Sequence, residues 1–297
     1  MRVMLATPTL FRVPTVEFTM SLIKTTNLLM QYGHILDTCF VGGDAFVMKA
    51  RNGLVQSFID SWKTDYPADM LLFIDDDQAW DEMAVLRHLL DPHEIIAVAV
   101  PKKMDSANGE PQTFNNVLLD TNEAGQCYVE KGLLRSSQIG SGYLSIKRSA
   151  VEKFIKAYPR CYAPGDGGAH VKHYNAFEAK IMWGDTDEMY DALVAAVESG
   201  DMAKAKEVTA QIQTGKTLLG QFWGEDLVFC KKWVALGERI WIDPNVTMSH
   251  IGRKTWNGNF CEFLQKHAEV QITKLPEPQA APQPIPSTLE AIEKLAA

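Results

Sequence analysis

The sequence predicts an α/β protein built on a mostly parallel β-sheet with helices on both faces. Segments rich in Val, Ile and Leu alternate with segments of helical periodicity over residues 2–103. The strand segments are apolar on both sides, which is typical of a sheet that helices cover on both faces. Glycine, proline and asparagine residues separate the segments, as expected for turns between them.

The first half of the chain is predicted to follow the order β-α-β-α-β-α-β. The strands are expected over residues 2–9, 34–44, 69–77 and 94–103. The helices between them are expected over residues 17–33, 48–62 and 81–91, and Gly33 marks the end of the first.

The second half is less regular. Residues 133–150 indicate a strand, a glycine loop and a second strand, and a short helix is expected over 151–158. Residues 162–175 are predicted to be a loop, and 185–213 to be two amphipathic helices that meet at Gly200. A helix over 224–237 and a strand with a proline-containing turn over 239–252 follow.

We therefore expect one domain over residues 1–265, with a helical insertion at about 178–220. A Pro-rich linker and a short helix are expected over residues 274–297.

Composition excludes several classes of protein. The net charge is −8, so a general affinity for polyanions is not expected. The five cysteines are scattered without a C-x-x-C pair, which is typical of reduced thiols in a cytoplasmic protein. No segment reaches the ~20 apolar residues of a membrane span, and the N-terminus does not resemble a signal peptide. We expect a cytoplasmic protein with no membrane partner.

Three consecutive aspartates, Asp75, Asp76 and Asp77, follow the apolar strand "MLLFI". Ligands of open parallel sheets bind beyond the carboxyl ends of the strands. Alternate side chains of an extended chain point the same way, so Asp75 and Asp77 can converge, and a hard divalent cation relieves their repulsion. The alternative is that one of the three caps the helix that begins near Asp81.

Several further motifs occur in a fixed order along the chain: "ARN" at 50–52, "FIDDD" at 73–77, "IGSG" at 139–142, "WGEDLVFC" at 223–230 and "SHIG" at 249–252. Together they resemble the GT-A-fold (Rossmann-like) nucleotide-sugar glycosyltransferases, in particular compact family-two-like enzymes of bacteriophages. The resemblance covers roughly residues 1–260 apart from the helical insertion.

The resemblance implies a metal site and a catalytic base. Asp75, Asp77 and His250 correspond to the metal ligands, and carboxylates with an imidazole suit Mn²⁺ better than Mg²⁺. Asp226 is the expected base and Glu225 the second candidate. Acidic residues are also favoured in the first turn of any helix, which is the alternative for this pair.

The resemblance also implies residues that contact the nucleotide-sugar donor, expected to be a UDP-sugar. They are Thr7, Pro8, Asp44, Arg51, Asn52, Asp76, Gly140, Ser141 and Gly142. Alternatives remain for two of these features: Arg51 as an ordinary surface residue, and the loop 140–142 as a simple tight turn.

The expected acceptor is the hydroxyl of a hydroxymethylated pyrimidine in phage DNA. The segment "RKTWNGNF" at 253–260, with Lys102 and Lys103, combines cations and aromatic rings that suit nucleic acid. A glycan or protein acceptor is the alternative. A nucleotidyltransferase and a catalytically inactive nucleotide- or glycan-binding module are the rival classes.

Overall fold

The computed structural model describes residues 1–105, 113–114, 116–159, 162–165, 168–182, 186–214 and 221–266. Its strands are β1 (Arg2–Thr9), β2 (Ile35–Gly42), β3 (Met70–Ile74), β4 (Gln78–Ala79), β5 (Ile95–Ala97), β6 (Leu118–Leu119), β7 (Val129–Glu130), β8 (Leu133–Gln138), β9 (Tyr143–Lys147), β10 (Tyr162–Gly165), β11 (Gly168–Tyr174), β12 (Lys180–Met182), β13 (Gln221–Trp223), β14 (Ile240–Ile242), β15 (Thr247–Ile251) and β16 (Thr255–Asn259). Its helices are α1 (Val16–Gln31), α2 (Val47–Ser61), α3 (Glu82–Leu90), α4 (Arg148–Ala157), α5 (Thr186–Glu198), α6 (Met202–Thr214), α7 (Glu225–Ala235) and α8 (Phe260–Lys266).

The main sheet has the strand order β2-β1-β3-β9-β5-β14-β8-β6, and β7 pairs with β8. Strand β1 is parallel to both of its neighbours, and β14 is parallel to β5. Strand β9 lies between β3 and β5 and is antiparallel to both. The α/β fold class is confirmed, with a sheet in which most strands run one way and β8 and β9 are reversed.

Strand β3 is buried on both faces and separates two cores. Leu71 and Phe73 pack in one core, which also contains residues of α2, α4 and α7. Met70, Leu72 and Ile74 pack in the other, with residues of α1 and α3. Alternate side chains of a strand point to opposite faces, so helices lie on both sides of the sheet as the sequence predicts. The uninterrupted apolar run before the aspartates is thereby explained.

Two predictions of local structure are wrong. Residues 162–175, expected to be a loop, contain the antiparallel hairpin β10–β11. Its last residue, Tyr174, is fully buried, and its hydroxyl donates to the carbonyls of Phe154 and Tyr158 at 2.9 and 3.1 Å. The glycines and histidines of this segment give little local strand signal, and these long-range contacts outweigh it.

The second difference concerns residues 239–260. The expected single strand is two strands, β14 in the main sheet and β15 in a separate three-stranded sheet of order β16-β15-β4. The basic and aromatic segment "RKTWNGNF" supplies β16. In this small sheet His250 lies opposite Gln78, so the sheet places the predicted ligand histidine beside the triple aspartate.

The two amphipathic helices predicted over residues 185–213 are α5 and α6, with Gly200 between them at φ +76°; that they form an insertion stays a prediction. The predicted linker and helix at 274–297 lie outside the described residues. None of the helices in the described ranges combines the length and the apolarity that a membrane crossing requires.

Helix α7 carries Glu225 and Asp226, and its end depends on Gly237. This glycine has φ +83°, and its N–H donates to the Val234 carbonyl at 3.0 Å. An added Cβ would meet nothing within 4 Å, so a substitution there changes backbone strain alone.

We predict that Gly237→Ala lowers the free energy of unfolding by about 1–2 kcal/mol, because the left-handed conformation is unfavourable for alanine. Gly237→Asn should lose less than half of that amount, since asparagine tolerates this conformation. Urea denaturation of both variants measures the difference. Equal losses for the two variants would contradict the assignment to backbone strain.

Candidate active site

Most of the predicted site residues line one cavity of about 140 Å³ beyond the end of β3. Its walls include Arg51 from α2, Asp75 after β3, the loop 140–142, Glu225 and Asp226 from α7, and His250 from β15. Gln78, Val100 and Asn116 complete the lining. The main-chain N–H of Asp75 donates to the Gly142 carbonyl at 3.2 Å, which joins the glycine loop to the aspartates.

Arg51 occupies the centre of the charged cluster. Its side chain is only 4% exposed, so the alternative of an ordinary surface arginine is wrong. Nη2 donates to Asp75 Oδ1 at 2.9 Å and Nε to Glu225 Oε1 at 3.4 Å. Burial lowers the pKa of Arg51, but the two carboxylates outweigh it and raise the pKa. Nη1 has no hydrogen-bond partner among the residues that the structure describes.

The three aspartates have different environments. Burial raises the pKa of Asp75, and its ion pair with Arg51 only partly offsets this. The Asp76 carbonyl accepts from the N–H of Thr15 at 2.9 Å, just before α1. Helix α3 is capped by Asp81, whose carboxylate accepts from the Met83 N–H at 3.0 Å. The alternative that one of the three aspartates serves as this cap is therefore wrong.

Asp77 and His250 form the part of the site that suits a divalent cation. His250 Nδ1 lies 2.8 Å from the Pro101 carbonyl oxygen, so Nδ1 must carry a proton. Nε2 then faces Asp77 Oδ1 at 3.5 Å. In this tautomer of the neutral imidazole, Nε2 carries the lone pair and is the atom that can bind a metal ion beside a carboxylate.

Asp77 also contacts a cation of the chain itself, since Lys103 Nζ donates to its Oδ2 at 2.5 Å. Burial raises the pKa of Asp77, but its contacts with His250 and Lys103 outweigh this effect and lower the pKa. No three His, Cys, Asp or Glu side chains of the described ranges are grouped as a complete metal site. The structure brings Asp77 and His250 together, Arg51 holds Asp75, and ligation by Asp75 stays a prediction.

Asp226 lies opposite, in the first turn of α7. Its Oδ1 accepts from the Leu227 N–H at 2.8 Å, while Oδ2 lies 3.5 Å from where a Cβ on Gly140 would be. Asp226 Oδ2 thus lies next to the glycine loop. Burial raises the pKa of Asp226, and the neighbouring charge of Glu225 raises it further. The environment suits a carboxylate that accepts a proton.

Asn52 is predicted to contact the nucleotide-sugar donor, but its hydrogen bonds are made within the protein. Its Nδ2 donates to the Phe177 carbonyl at 2.6 Å, and its Oδ1 accepts from the Phe177 N–H at 2.9 Å. The side chain is buried and does not line the cavity. Both polar atoms are occupied by the main chain of the segment after β11.

Three other residues predicted to contact the nucleotide-sugar donor lie near β1 and β2, at one edge of the main sheet. Thr7 and Pro8 lie in β1, and the buried Thr7 hydroxyl has no partner in the described ranges. Asp44 Oδ1 accepts from the Phe46 N–H at 3.0 Å, just before α2. None of the three lines the cavity beside Asp75.

The sequence did not identify a second cavity, of about 440 Å³, at the ends of β1 and β2. Its lining includes Thr9, Arg12, Pro14, Phe40 and Gly42. Glycine is needed at 42, because a Cβ there would lie 2.6 Å from Arg12 Cγ. A signal was present in "LFRVP", a segment with apolar residues that no predicted helix or strand buries.

The sequence also missed Gln78 and Asn116 in the first cavity. Gln78 directly follows the triple aspartate, but its local pattern resembles that of any turn. Asn116 adopts φ +43°, a backbone conformation that no spacing of residue types reveals.

No family model and no curated protein matches the sequence. Among solved structures, the A197 protein from STIV aligns with 87% of this chain and 95% of its own, at 14% identity and a TM-score of 0.45. A mannose-1-phosphate geranyltransferase from Thermus thermophilus aligns over 81% and 73%, at 12% identity and a TM-score of 0.31. A glycosyltransferase involved in glycosylation of the major capsid of PBCV-1 aligns over 53% and 67%, at 9% identity and a TM-score of 0.28. These similarities assign neither a family nor an activity to the chain.

We predict that Asn52→Ala lowers the free energy of unfolding by about 2–3 kcal/mol, because it removes two buried hydrogen bonds and leaves the Phe177 main chain unsatisfied. Affinity for UDP should be unchanged. Denaturation and calorimetric titration measure the two effects. Asn27→Ala, on an exposed part of α1, is the matched control and should change stability by less than about 0.5 kcal/mol. A loss of UDP affinity without a loss of stability would restore Asn52 as a donor contact.

Proposed function

We propose that the protein is a metal-dependent glycosyltransferase that moves a sugar from a nucleotide-diphospho sugar, expected to be a UDP-sugar, to a hydroxyl acceptor. The observation that carries this proposal is the polar cavity lined by Arg51, Asp226 and His250, with Asp77 beside His250. This reaction requires a bound cation and a base. The cavity offers a place for the cation and a carboxylate that is suited to accept a proton.

Asp77 and His250 would hold Mn²⁺ or Mg²⁺, with Asp75 as the predicted third ligand. The ion would supply charge neutralisation for the diphosphate. The Pro101 carbonyl holds His250 in the tautomer that presents Nε2 toward Asp77. Lys103 adds a second positive charge beside Asp77, at the rim where phosphates would lie.

Asp226 would accept the proton of the acceptor hydroxyl, with Glu225 as the weaker candidate. Glu225 is engaged by Arg51 at 3.4 Å, whereas Asp226 Oδ2 faces the glycine loop. A carboxylate whose oxygen already accepts from a guanidinium is less free to accept the proton of an acceptor hydroxyl.

The nucleoside would lie toward the second cavity, next to Thr7 and Pro8 in β1. This cavity offers the Phe40 ring and the Arg12 guanidinium, which can contact a base and a phosphate. Asp76 follows Asp75 of the first cavity, and its carbonyl accepts from the N–H of Thr15, the residue after Pro14 of the second cavity. A donor that spans both cavities would thus cross the aspartate cluster.

For the acceptor we propose a hydroxymethylated pyrimidine in DNA, with a glycan or protein as the alternative. Arg253 is exposed beside β15, and Lys254 lies 5.5 Å from the centre of the Trp256 ring. Lys254 and the indole N–H of Trp256 both contact Asp105, so part of the positive charge is neutralised. The target base would have to leave the stack to reach the cavity.

The experiment that tests this function offers the protein a panel of UDP-sugars with Mn²⁺ and duplex DNA with or without 5-hydroxymethylcytosine. Mass spectrometry of the digested nucleosides detects transfer, and release of UDP is followed in parallel. Sugar on the modified base supports both the activity and the acceptor. Release of UDP without modified DNA supports glycosyl transfer to another acceptor. If no donor releases UDP in the presence of Mn²⁺, the proposed activity is contradicted. If UDP release is unchanged in EDTA, the proposed metal dependence is contradicted.

We predict that Asp77→Asn and His250→Ala each weaken Mn²⁺ binding at least 10-fold, because even changes outside the ligand set cost ~10–100-fold. Electron paramagnetic resonance of free Mn²⁺ measures binding without any substrate. His34→Ala is the control, since His34 precedes β2 at the opposite end of the sheet. Equal Mn²⁺ affinity in all three variants would rule out this site.

We predict that Asp226→Asn lowers kcat by ~10²–10⁴-fold, with donor affinity little changed. Asp226 must be ionised to act, and its raised pKa places the acid limb of the pH–rate profile above that of an ordinary carboxylate. Glu225→Gln removes a negative charge beside Asp226, so its pKa falls and the acid limb should move to lower pH. The exposed Glu262→Gln is the control and should leave the limb in place. A limb that moves to higher pH in Glu225→Gln would contradict the assignment.

A further inference from the structure

Gln78 is a buried polar side chain that the mechanism above does not use. It is 1% exposed and lines the cavity beside Asp75 and His250. Its Oε1 has no hydrogen-bond partner among the described residues. Buried side-chain oxygens in proteins are generally hydrogen-bonded, so an unsatisfied one in the wall of a cavity indicates a missing donor.

Two features of the fold hold Gln78 in this position. It lies in β4, where it pairs with His250 of β15, so its main chain is fixed by the small sheet. A Cβ on Gly142 would lie only 2.4 Å from Gln78 Nε2. Glycine at 142 thus leaves the space that the Gln78 amide occupies beside the loop.

The other groups in the cavity define what kind of ligand supplies the donor. Asp75, Glu225 and Asp226 are acceptors, and Arg51 Nη1 is a buried donor without a described partner. A phosphate only accepts hydrogen bonds and would be repelled by the three carboxylates. A hydroxyl both donates and accepts, so a ring with several hydroxyls offers a donor for Gln78 Oε1 and an acceptor for Arg51 Nη1.

We propose that Gln78 is a specificity-determining residue that selects the sugar by accepting a hydrogen bond from one ring hydroxyl. The inference rests on the proposed glycosyl transfer and adds the residue that distinguishes one sugar from another. Sugars that lack this hydroxyl leave the buried oxygen unsatisfied and bind less tightly.

The test measures binding to the Mn²⁺-loaded protein by calorimetry. The probes are UDP, the tightest binder among UDP-glucose, UDP-galactose and UDP-N-acetylglucosamine, and the monodeoxy analogues of that donor. In the wild type we expect the loss of one particular hydroxyl to weaken binding by about 3- to 10-fold, the effect of one neutral hydrogen bond. In Gln78→Met the full donor should weaken by that factor and should bind no better than that one analogue.

Two further variants make the test specific. Gln78→Glu keeps an acceptor oxygen of similar reach and should keep the discrimination. Gln31→Met, at the exposed end of α1, is the matched control and should behave as the wild type.

The outcomes distinguish the role of Gln78 from the glycosyl transfer on which it rests. Unchanged UDP affinity with lost discrimination in Gln78→Met supports the inference. An equal loss of affinity for UDP and for the sugar donor would overturn it, because Gln78 then acts only through the fold. Unchanged discrimination in Gln78→Met would also overturn it while glycosyl transfer stands. A wild type that binds neither UDP nor any UDP-sugar would instead overturn the proposed function.

Discussion

The site depends on one buried cation, Arg51, held between Asp75 and Glu225. A charge removed from water is stable only when it is paired, and removal of one partner of a buried pair typically costs ~3–5 kcal/mol. The three residues come from α2, the end of β3 and the start of α7, so their pairing fixes these elements relative to each other. Asp226 takes its position from the same helix start. The geometry of the proposed base therefore follows from an ion pair in which it takes no direct part.

Features that depend on local sequence could be predicted, as the residues around β3 illustrate. The apolar run of Met70–Ile74 is buried on both faces, and the aspartates follow where the strand ends. Gly33, Gly200 and Gly237 all adopt positive φ where the sequence predicts the end of a helix. The hairpin β10–β11 could not be predicted, because it forms through contacts with α2 and the α4 end that no local pattern records. The reversed position of β9 depends likewise on its pairing with β3 and β5.

The sequence indicated which residues belong to the candidate site much better than it indicated what each of them does there. The resemblance implied that the aspartates, the start of α7 and His250 meet, and Asp75, Glu225, Asp226 and His250 line one cavity. It did not reveal that Asn52 bonds the Phe177 main chain, since an asparagine after an arginine carries the same signal in either role. Gln78 was missed for a related reason, because its importance comes from burial without a partner. Partners and burial are properties of the folded chain, and the spacing of residues does not contain them.

The distribution of charge divides the site into two zones. Asp75, Glu225, Asp226 and Gln78 make the cavity rich in acceptors, with Arg51 as a buried cation already shared by two carboxylates. Lys103 lies at the rim, on Asp77, beside the imidazole of His250. Under the proposed activity, anionic phosphates belong at this rim, where the protein and a divalent ion supply positive charge, and the uncharged sugar belongs in the cavity. The bond between them would then lie across the boundary of the two zones, within reach of the carboxylates that face the cavity.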